Sequence, residues 1–261
     1  MILGMRLLTF NALFKGDVRE RLRALGERLE RSDYDVVCLQ EVMYRRNVRL
    51  LETVAPSYRY RACSGSVVLR GGLVVLSRLP ITGSEFRRFP LTAPARPEYL
   101  MRKGAQIVTI DRVFTVVNTH LSANRDDDWS PGNRYSAAQR TEFAVLAERI
   151  AGIGTPVVVV GDLNVPRESA GLAGLLAATG LRDVLAGDTR PTYRPTPGWP
   201  SPPAFDHVLV RPAAVQCRAD LVFQDEVRLP GGGTSYLSDH YGVEAELTYP
   251  DCNHTAFSRK L

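Results

Sequence analysis

The chain has 261 residues, of which 44% are hydrophobic and 23% are charged, and this ordinary globular composition excludes an intrinsically disordered protein. Its net charge of +5 at pH 7 favours an anionic ligand, such as a phosphate ester, a nucleic acid or an acidic lipid surface. Mildly basic, arginine-rich surfaces are common, so charge alone does not choose among these partners. The longest wholly apolar runs are strand-sized, and we therefore expect no integral membrane segment.

The four cysteines, Cys38, Cys63, Cys217 and Cys252, lie far apart and include no C-x-x-C pair that would hold zinc. The N-terminus lacks the basic flank and the long apolar stretch of a secretory signal, so reduced thiols are expected. No linker divides the chain into halves. These features predict a cytoplasmic protein with a single domain over residues 1–261, and they leave the oligomeric state open.

The first elements alternate between strand and helix. Residues 5–10 are predicted to form a strand that ends at Asn11. Asp17 followed by Glu20 matches the capping-box pattern at the start of a helix, and apolar residues then recur at helical spacing. The next two predicted elements are a buried strand over 35–39 and a helix over 45–54.

The remainder of the chain is rich in strands, and its elements interleave to the end. We expect one α/β domain with two sheets, because about ten strands are many for one open sheet. The run 156–161 is apolar on both faces, which is typical of a strand covered on both sides. The predicted strands are 58–62, 73–77, 81–87, 105–110, 113–119, 156–161, 205–210 and 241–247, and the predicted helices are 137–151 and about 169–178.

Polar residues suited to metal or phosphate chemistry recur where these strands begin or end. Ligands bind at strand ends in α/β sheets, because backbone groups are free there and the scaffold is rigid. Each motif alone has an ordinary structural explanation, such as a turn or a solvated residue, but their joint occurrence is improbable by chance. The motifs are Asn11, Gln40-Glu41, Asn118-Thr119-His120-Leu121, Gly161-Asp162-Leu163-Asn164, Phe205-Asp206-His207 and Ser238-Asp239-His240.

In this order the motifs resemble those of the endonuclease/exonuclease/phosphatase superfamily, which has the fold of pancreatic deoxyribonuclease, and the match covers nearly the whole chain. The resemblance implies an α/β fold built as a four-layer sandwich, with two packed, mainly antiparallel β-sheets flanked by helices. It also implies metal-dependent hydrolysis of phosphate esters.

The resemblance also implies a metal site. Glu41 is a hard oxygen ligand that suits Mg²⁺, with Mn²⁺ as a substitute, because Mg²⁺ takes one or two carboxylates and keeps waters and substrate phosphate as its other ligands. Asn11 and Asp239 are expected to help shape this site. The second position after Asn11 is Leu13, where abasic-site endonucleases of the superfamily carry an acidic residue, and this departure disfavours a DNA-repair enzyme.

Catalytic roles follow from the same resemblance. His240 is predicted to be the general base for the attacking water, with Asp206 fixing its tautomer. Asp162 and Asn164 are predicted to orient that water or to assist the leaving group, and His120 to donate to a phosphoryl oxygen. The predicted substrate-binding residues are Lys103 and Asn118.

Several segments resemble the neutral sphingomyelinase branch of the superfamily: residues 71–81, Lys103-Gly104, 118–123 and 235–245. Arg102 departs from that pattern, because lipid-hydrolysing relatives often have Asp before Lys-Gly. No exposed apolar hairpin with paired aromatic residues is predicted as a membrane anchor, and Trp129 and Trp199 are expected to cover a core edge.

The predicted function is a Mg²⁺-dependent phosphodiesterase of sphingomyelinase-like type, acting on a small or lipid-linked phosphodiester. Two alternatives keep the chemistry but change the substrate, namely a nuclease and a phosphomonoesterase. A third is an inactive binding protein on the same scaffold. The intact set of polar site residues argues against this third alternative.

Overall fold

Fourteen strands and four α-helices make up the part of the chain that the computed structural model describes, residues 2–92, 94 and 97–250. The helices are α1 (Val18–Glu30), α2 (Arg45–Val54), α3 (Arg134–Ala151) and α4 (Ala170–Thr179). The strands are β1 (Ile2–Asn11), β2 (Val36–Gln40), β3 (Tyr60–Cys63), β4 (Val74–Ser77), β5 (Ile81–Arg88), β6 (Gly104–Ile110), β7 (Phe114–His120), β8 (Val157–Asp162), β9 (Arg182–Asp183), β10 (Asp206–Arg211), β11 (Gln216–Val222), β12 (Val227–Arg228), β13 (Thr234–Ser235) and β14 (Gly242–Pro250).

Two six-stranded sheets carry most of these strands. The first has the order β11-β14-β1-β2-β4-β3, and the second has the order β5-β6-β7-β8-β10-β9. Neighbouring strands are antiparallel except for one central pair in each sheet, β1 with β2 and β7 with β8, which are parallel. β12 and β13 form a separate small hairpin.

Alternation of side chains along the central strands explains the layers. In β1, Leu8 and Phe10 pack against α1 and α2, whereas Met5 and Leu7 point to the second sheet. A strand places successive side chains on opposite faces, so an uninterrupted apolar run buries both.

The second sheet repeats this arrangement on its own two faces. Val158 and Val160 of β8 face the first sheet, and Val157 and Val159 face α3 and α4. The order of layers is therefore helices, sheet, sheet, helices. This confirms the predicted four-layer α/β sandwich and the expectation that β8 is covered on both sides.

The two parallel pairs determine where a site can form. β1 and β2 pack across the core against β7 and β8. In the parallel pairs Asn11 lies opposite Gln40 and His120 lies opposite Asp162. Parallel strands end at the same edge of a sheet, so four strands deliver their terminal residues to one region.

Helix starts differ from the sequence predictions in two places. Asp17 precedes α1 but its side chain makes no capping hydrogen bond, so the predicted capping box is wrong; its ψ of 53° is not the extended conformation that aims an N-cap side chain at the first turn. α3 begins at Arg134 and not at 137, because the side chain of Asn133 accepts hydrogen bonds from the backbone N–H groups of Tyr135 and Ser136.

Strand β11 was not predicted, and β3 begins at Tyr60 and not at residue 58. β11 is a sheet-edge strand whose side chains are largely exposed or half-buried, so its sequence lacks an apolar run. Tyr58 is buried, and its hydroxyl donates to the carbonyl of Tyr34 at 3.0 Å.

Three cysteines, Cys38, Cys63 and Cys217, carry free thiols in the part of the chain that is described. Cys252 lies outside the described residues. Within the described ranges no helix is both long and apolar enough to cross a bilayer.

A buried ion pair supports the start of β10. Arg167 and Asp183 are each only 4% exposed, and the guanidinium donates to the carboxylate at 2.9 Å. Arg167 also donates to the backbone carbonyl of Asp206 at 3.2 Å. Burial opposes ionisation of Asp183, but the neighbouring imidazole of His207 and the guanidinium of Arg167 outweigh it, so the pKa of Asp183 lies below its ordinary value.

Substitution Asp183→Asn should lower the free energy of unfolding by about 3–5 kcal/mol, because it leaves a buried guanidinium without its counter-charge. Urea unfolding at neutral pH measures this. The matched control is Asp220→Asn, whose pair with Arg190 is exposed (63% and 51% for the two side chains), and which should change stability by less than about 1 kcal/mol.

The pH dependence of this effect has a definite sign. A carboxyl whose folded pKa is lowered stabilises the protein above its unfolded pKa and loses that contribution as the pH falls through the folded value. The advantage of the wild type over Asp183→Asn should therefore be full above about pH 4 and shrink below it. Equal losses from the buried and the exposed substitutions would contradict this account of the pair.

Candidate active site

The carboxyl ends of β1, β2, β7 and β8 are joined by side-chain hydrogen bonds between the two sheets. Asn11 Nδ2 donates to Asp162 Oδ2 at 3.0 Å, and Gln40 Nε2 donates to Asn118 Oδ1 at 2.7 Å. All four residues are at most 2% exposed. These bonds bring residues far apart in the sequence to one cleft at the sheet ends.

His240 lies between two carboxylates at this cleft. Its Nδ1 is 2.8 Å from Asp206 Oδ2, and its Nε2 is 3.7 Å from Asp162 Oδ2. Thr192 Oγ1 donates to the same Asp206 oxygen at 2.6 Å. The histidine ring is therefore held in one orientation, with Nε2 on the side of Asp162.

Charge around His240 decides its protonation. Burial disfavours the imidazolium, but Asp206 and then Asp162 favour it more strongly, and the pKa of His240 rises to about 10. Burial raises the pKa of Asp162 to about 6, with a further rise from Asp206 and an opposing effect from His240. Between these two groups, His240 therefore holds a proton more strongly than Asp162 does.

His120 ends β7 on the other side of Asp162. Its Nε2 lies 2.9 Å from Lys103 Nζ and 3.4 Å from Asp162 Oδ2. Burial, followed by the charges of Lys103 and His240, puts the pKa of His120 well below its ordinary value, so the ring is neutral. Because an ammonium only donates, Nε2 is the acceptor and the ring proton lies on Nδ1.

Lys103 and Asn118 were predicted to touch the substrate, and this geometry does not support that prediction. The ammonium of Lys103 uses its three donors within the protein, on Glu98 Oε1, on His120 Nε2 and on the carbonyl of Leu121, at 2.7–3.0 Å. Its chemistry at the site is to hold His120 in place.

Asn118 is fully buried, and its side chain bridges the sheets. Its Nδ2 donates to the carbonyls of Leu39 and Val74 at 3.0 and 3.1 Å, and its Oδ1 accepts from Gln40. No donor of the amide remains for a ligand. Asn118 thus positions the strand ends.

Asp162 and Asn164 form a tight turn after β8. The backbone N–H of Asn164 donates to Asp162 Oδ1 at 2.9 Å, and Asn164 Nδ2 donates to the carbonyl of Leu121 at 2.9 Å. Asn164 has φ +53°, a conformation that asparagine adopts more readily than most residues. The turn links the end of β8 to the end of β7.

Glu41 follows β2 with a φ of +62°. Its Oε2 accepts from the backbone N–H of Phe14 at 3.0 Å. Asp239 accepts from the hydroxyl of Tyr193 at 3.3 Å. Burial, followed by Asp239, Glu41 and Asp162, raises the pKa of Tyr193 to about 12, so the three carboxylates act on one hydroxyl.

The described residues contain no group of three or more His, Cys, Asp or Glu side chains that would hold a metal ion by themselves. A closed cage of protein ligands is therefore absent from this part of the chain. Mg²⁺ does not need one, since it usually keeps several waters and binds one or two carboxylates together with substrate phosphate.

Arg21 was missed by sequence reasoning, although it braces two of these loops. Its guanidinium is buried and donates to the carbonyls of Ala12 and Leu237 at 2.8 and 2.7 Å. This ties the segment after Asn11 to the segment before Asp239. The sequence predicts Arg21 on the solvated face of α1 together with several other arginines, and no local pattern distinguishes it from them.

Thr192 and Gln139 were also missed. Thr192 lies in a Pro-rich loop over residues 190–203, where a polar residue next to Pro191 was a weak signal, and its hydroxyl donates to Asp206. Gln139 of α3 donates to the carbonyls of Ser122 and Asn164 at 2.8 and 3.0 Å. Both are positioning residues whose partners lie far away in the sequence.

Aromatic rings form one wall of the cleft beside His240. The ring of Tyr193 lies edge-on to the His240 imidazole, with 5.0 Å between the ring centres, and its centre is 5.5 Å from that of Trp199. The ring centres of Trp129 and Phe205 are 5.7 Å apart. Trp129 Nε1 also donates to the carbonyl of Asn164 at 3.0 Å. Trp129 covers a core edge, as expected, and Trp199 packs on Tyr193 and on the buried Phe205. Both rings border the site.

Comparison with known sequences gives related lipid phosphodiesterases. The chain is 28% identical over 174 residues to the inositol phosphosphingolipids phospholipase C of Schizosaccharomyces pombe, a match of 62% of this chain and 41% of that protein. It is 28% identical over 177 residues to human sphingomyelin phosphodiesterase 2, with 63% of this chain and 41% of that protein covered. The chain thus spans less than half the length of each of these two relatives.

Solved structures share the fold. Sphingomyelinase C from Streptomyces griseocarneus superimposes with a TM-score of 0.69 at 23% identity, covering 94% of this chain and 99% of that chain. A variant of Staphylococcus aureus beta toxin with bound magnesium ions gives 0.73 at 17% identity, with 93% and 99% covered. D. rerio TDP2 with a single-strand DNA product gives 0.71 at 21% identity, with 94% and 98% covered.

A family model provides the remaining comparison. The model described as the Endonuclease/Exonuclease/phosphatase family matches residues 8–240, a span that begins within β1 and ends at His240. This agrees with the fold and with the sphingomyelinase-like relatives. The chain therefore belongs to the Endonuclease/Exonuclease/phosphatase family.

Proposed function

We propose that the chain is a Mg²⁺-dependent phosphodiesterase of sphingomyelinase-like type, which hydrolyses a small or lipid-linked phosphodiester. The observation that carries the proposal is the buried His240–Asp206 pair at 2.8 Å, with Asp162 facing the other nitrogen of the imidazole. Enzymes of this family depend on a divalent metal ion; the choice of Mg²⁺ and of the substrate is part of the proposal.

The donor chemistry fits a hard divalent cation. Glu41 and Asp239 supply carboxylates and Asn11 an amide oxygen, and oxygen ligands are those that Mg²⁺ prefers. The carboxylates of Glu41, Asp239 and Asp162 all act on the Tyr193 hydroxyl, an accumulation of negative charge that a cation would offset. When bound, the metal would polarise the phosphoryl group and neutralise charge that develops on it.

In the proposed reaction, the neutral form of His240 takes a proton at Nε2 from a water molecule whose oxygen attacks phosphorus. Asp206 holds the Nδ1 side of the ring and stabilises the imidazolium that forms. The bond from phosphorus to the leaving oxygen breaks, and that oxygen takes up a proton, which balances the one that His240 accepts. The products are an alcohol and a phosphomonoester.

Asp162 and Asn164 orient the water or assist the leaving group in this scheme. Asp162 is bonded to Asn11 and lies near both histidines, so it occupies the centre of the site. His120 is neutral, and its N–H acts as a hydrogen-bond donor to a phosphoryl oxygen, where negative charge increases in the transition state.

The names of the relatives support a lipid-linked substrate, since one is a phospholipase C and the other a sphingomyelin phosphodiesterase. The net charge of +5 favours the alternative of a nuclease. Salt titration separates the two, because polyanion binding weakens steeply with salt concentration. Salt-insensitive turnover of a choline or inositol phospholipid by the purified protein supports the lipid substrate.

Metal removal gives the first test. Chelation by EDTA should abolish hydrolysis of a chromogenic phosphodiester, and excess Mg²⁺ or Mn²⁺ should restore it, because a divalent cation would neutralise the negative charge that develops on the phosphoryl group. The measurement is the initial rate before and after dialysis. Full activity in EDTA would remove the metal from the proposal.

Substitution of the base and of a metal ligand gives the second test. His240→Ala and Glu41→Gln should each lower kcat/KM by at least about a hundredfold, the scale of losing an acid–base group or a metal site. Glu226→Gln is the matched control for Glu41→Gln, since Glu226 is exposed. The mechanism fails if the two site variants retain the control's activity.

Gly72 is predicted to determine the placement of Glu41. It has φ +63°, and a Cβ atom there would lie 3.0 Å from Glu41 Cα and 2.8 Å from Met43 Sδ. Its carbonyl also accepts from the N–H of Val42 at 2.9 Å. A side chain at this position would displace the segment that carries the metal ligand.

Gly72→Ala should therefore raise the Mg²⁺ concentration for half-maximal activity by about tenfold, a typical cost of disturbing the support of a metal ligand. Gly232→Ala is matched, because Gly232 also has a positive φ (+93°) but a Cβ atom added there would meet nothing within 4 Å. Both variants carry backbone strain, so a similar Mg²⁺ requirement in the two would refute the placement role of Gly72.

A further inference from the structure

Four large apolar side chains are exposed next to the cleft: Phe14, Tyr44, Val67 and Val68, with exposed fractions of 40, 41, 71 and 48%. We call them the apolar patch. Tyr44 and Val68 are partners in a β-bridge, and the N–H of Arg45 donates to the carbonyl of Val67 at 3.0 Å. Phe14 and Tyr44 line the same groove. The patch is thus assembled from three segments of the chain.

The groove beside the patch is basic. It has a volume of about 820 Å³, and four arginines line it, Arg19, Arg23, Arg46 and Arg49, which we call the arginine rim. Two carboxylates, Asp17 and Glu20, also line it, so the arginines outnumber the acids. The guanidinium of Arg46 lies 4.8 Å from the centre of the Tyr44 ring.

The basic residues at the start of α2 destabilise this helix. The helix begins with Arg45 and Arg46, and its first turn holds no acidic residue. The N-terminus of a helix carries partial positive charge, and basic residues there are unfavourable. This end of α2 therefore presents concentrated positive potential, which an anionic partner would offset.

The patch is continuous with the proposed metal site. The N–H of Phe14 donates to Glu41 Oε2 at 3.0 Å, and Tyr44 follows Glu41 by three residues. A surface that met the patch and the rim would therefore lie directly beside the cleft. In a bilayer, phosphodiester groups lie at the level of the headgroups, between the apolar interior and water.

We propose that the apolar patch and the arginine rim dock the protein on the surface of an anionic lipid bilayer. Apolar side chains enter the boundary between headgroups and acyl chains, and arginines near the surface are attracted to anionic lipid. The inference rests on the proposed function for its purpose, since docking would present lipid phosphodiesters to the cleft.

The aliphatic members of the patch favour a lipid surface over a nucleic acid. Nucleic acids are bound by cations on phosphates and by aromatic rings on bases. Val67 and Val68 offer neither, yet they are among the most exposed large apolar residues of the described chain. Their exposure is explained when they are buried in lipid.

Vesicle sedimentation tests the docking in the presence of EDTA, so that binding is measured without turnover. The probes are phosphatidylcholine vesicles with and without phosphatidylserine. The double variant Val67→Ser/Val68→Ser should bind the anionic vesicles at least about tenfold more weakly than the wild type, because apolar area is lost. Val67→Leu/Val68→Leu, which keeps that area, should bind as the wild type does.

The arginine rim is tested in the same assay. Arg46→Gln/Arg49→Gln should lose about tenfold or more in affinity for vesicles with phosphatidylserine, and little for vesicles without it. Arg112→Gln is the control, because Arg112 is exposed in the turn before β7, at the opposite end of that strand from His120. Thermal unfolding checks that every variant is folded.

The docking is refuted if the Val67→Ser/Val68→Ser and Val67→Leu/Val68→Leu variants bind vesicles equally well, or if phosphatidylserine does not change binding. It is also refuted if the protein binds a single-stranded oligonucleotide tightly and vesicles not at all, and the arginine variants weaken that oligonucleotide binding. Hydrolysis of a soluble chromogenic phosphodiester in Mg²⁺ is measured separately. A wild type that binds anionic vesicles but hydrolyses no phosphodiester would refute the proposed function and leave the docking supported.

Discussion

The fold depends on a small polar bridge inside an otherwise apolar interface. Asn11 reaches from one sheet to Asp162 of the other, and Gln40 reaches to Asn118. A buried donor without a partner costs about 1–3 kcal/mol, so alignments of the two sheets that leave these amides unpaired are disfavoured. The alignment in which these amides are paired places the ends of β1, β2, β7 and β8 around one cleft, and the chemistry of the site depends on this placement.

Much of this arrangement could be predicted from local sequence. Alternating and continuous apolar runs specified the central strands, since burial of one or both faces leaves a clear pattern. The motifs that end these strands, such as Asp162-Leu163-Asn164, are short and ordered along the chain. Their convergence was predictable because parallel neighbours end at the same sheet edge, and because the motif order resembles a known family.

What could not be predicted depends on partners distant in the sequence. Lys103 was predicted to bind the substrate, but its ammonium donates to Glu98, His120 and the carbonyl of Leu121. Arg21 looked like one solvated arginine among several on α1, yet it is buried on backbone carbonyls. Strand β11 carries no apolar run because it lies at a sheet edge. Only tertiary contacts distinguish these cases.

The aromatic wall has an optical consequence. The chain contains two tryptophans, and one packs beside Phe205 while the other packs beside Tyr193. No other indole contributes emission, so the intrinsic tryptophan fluorescence of the unlabelled protein, excited where tyrosine does not absorb, originates at the border of the cleft. A quench or spectral shift upon adding a ligand can therefore be assigned to that border without a dye or an introduced probe.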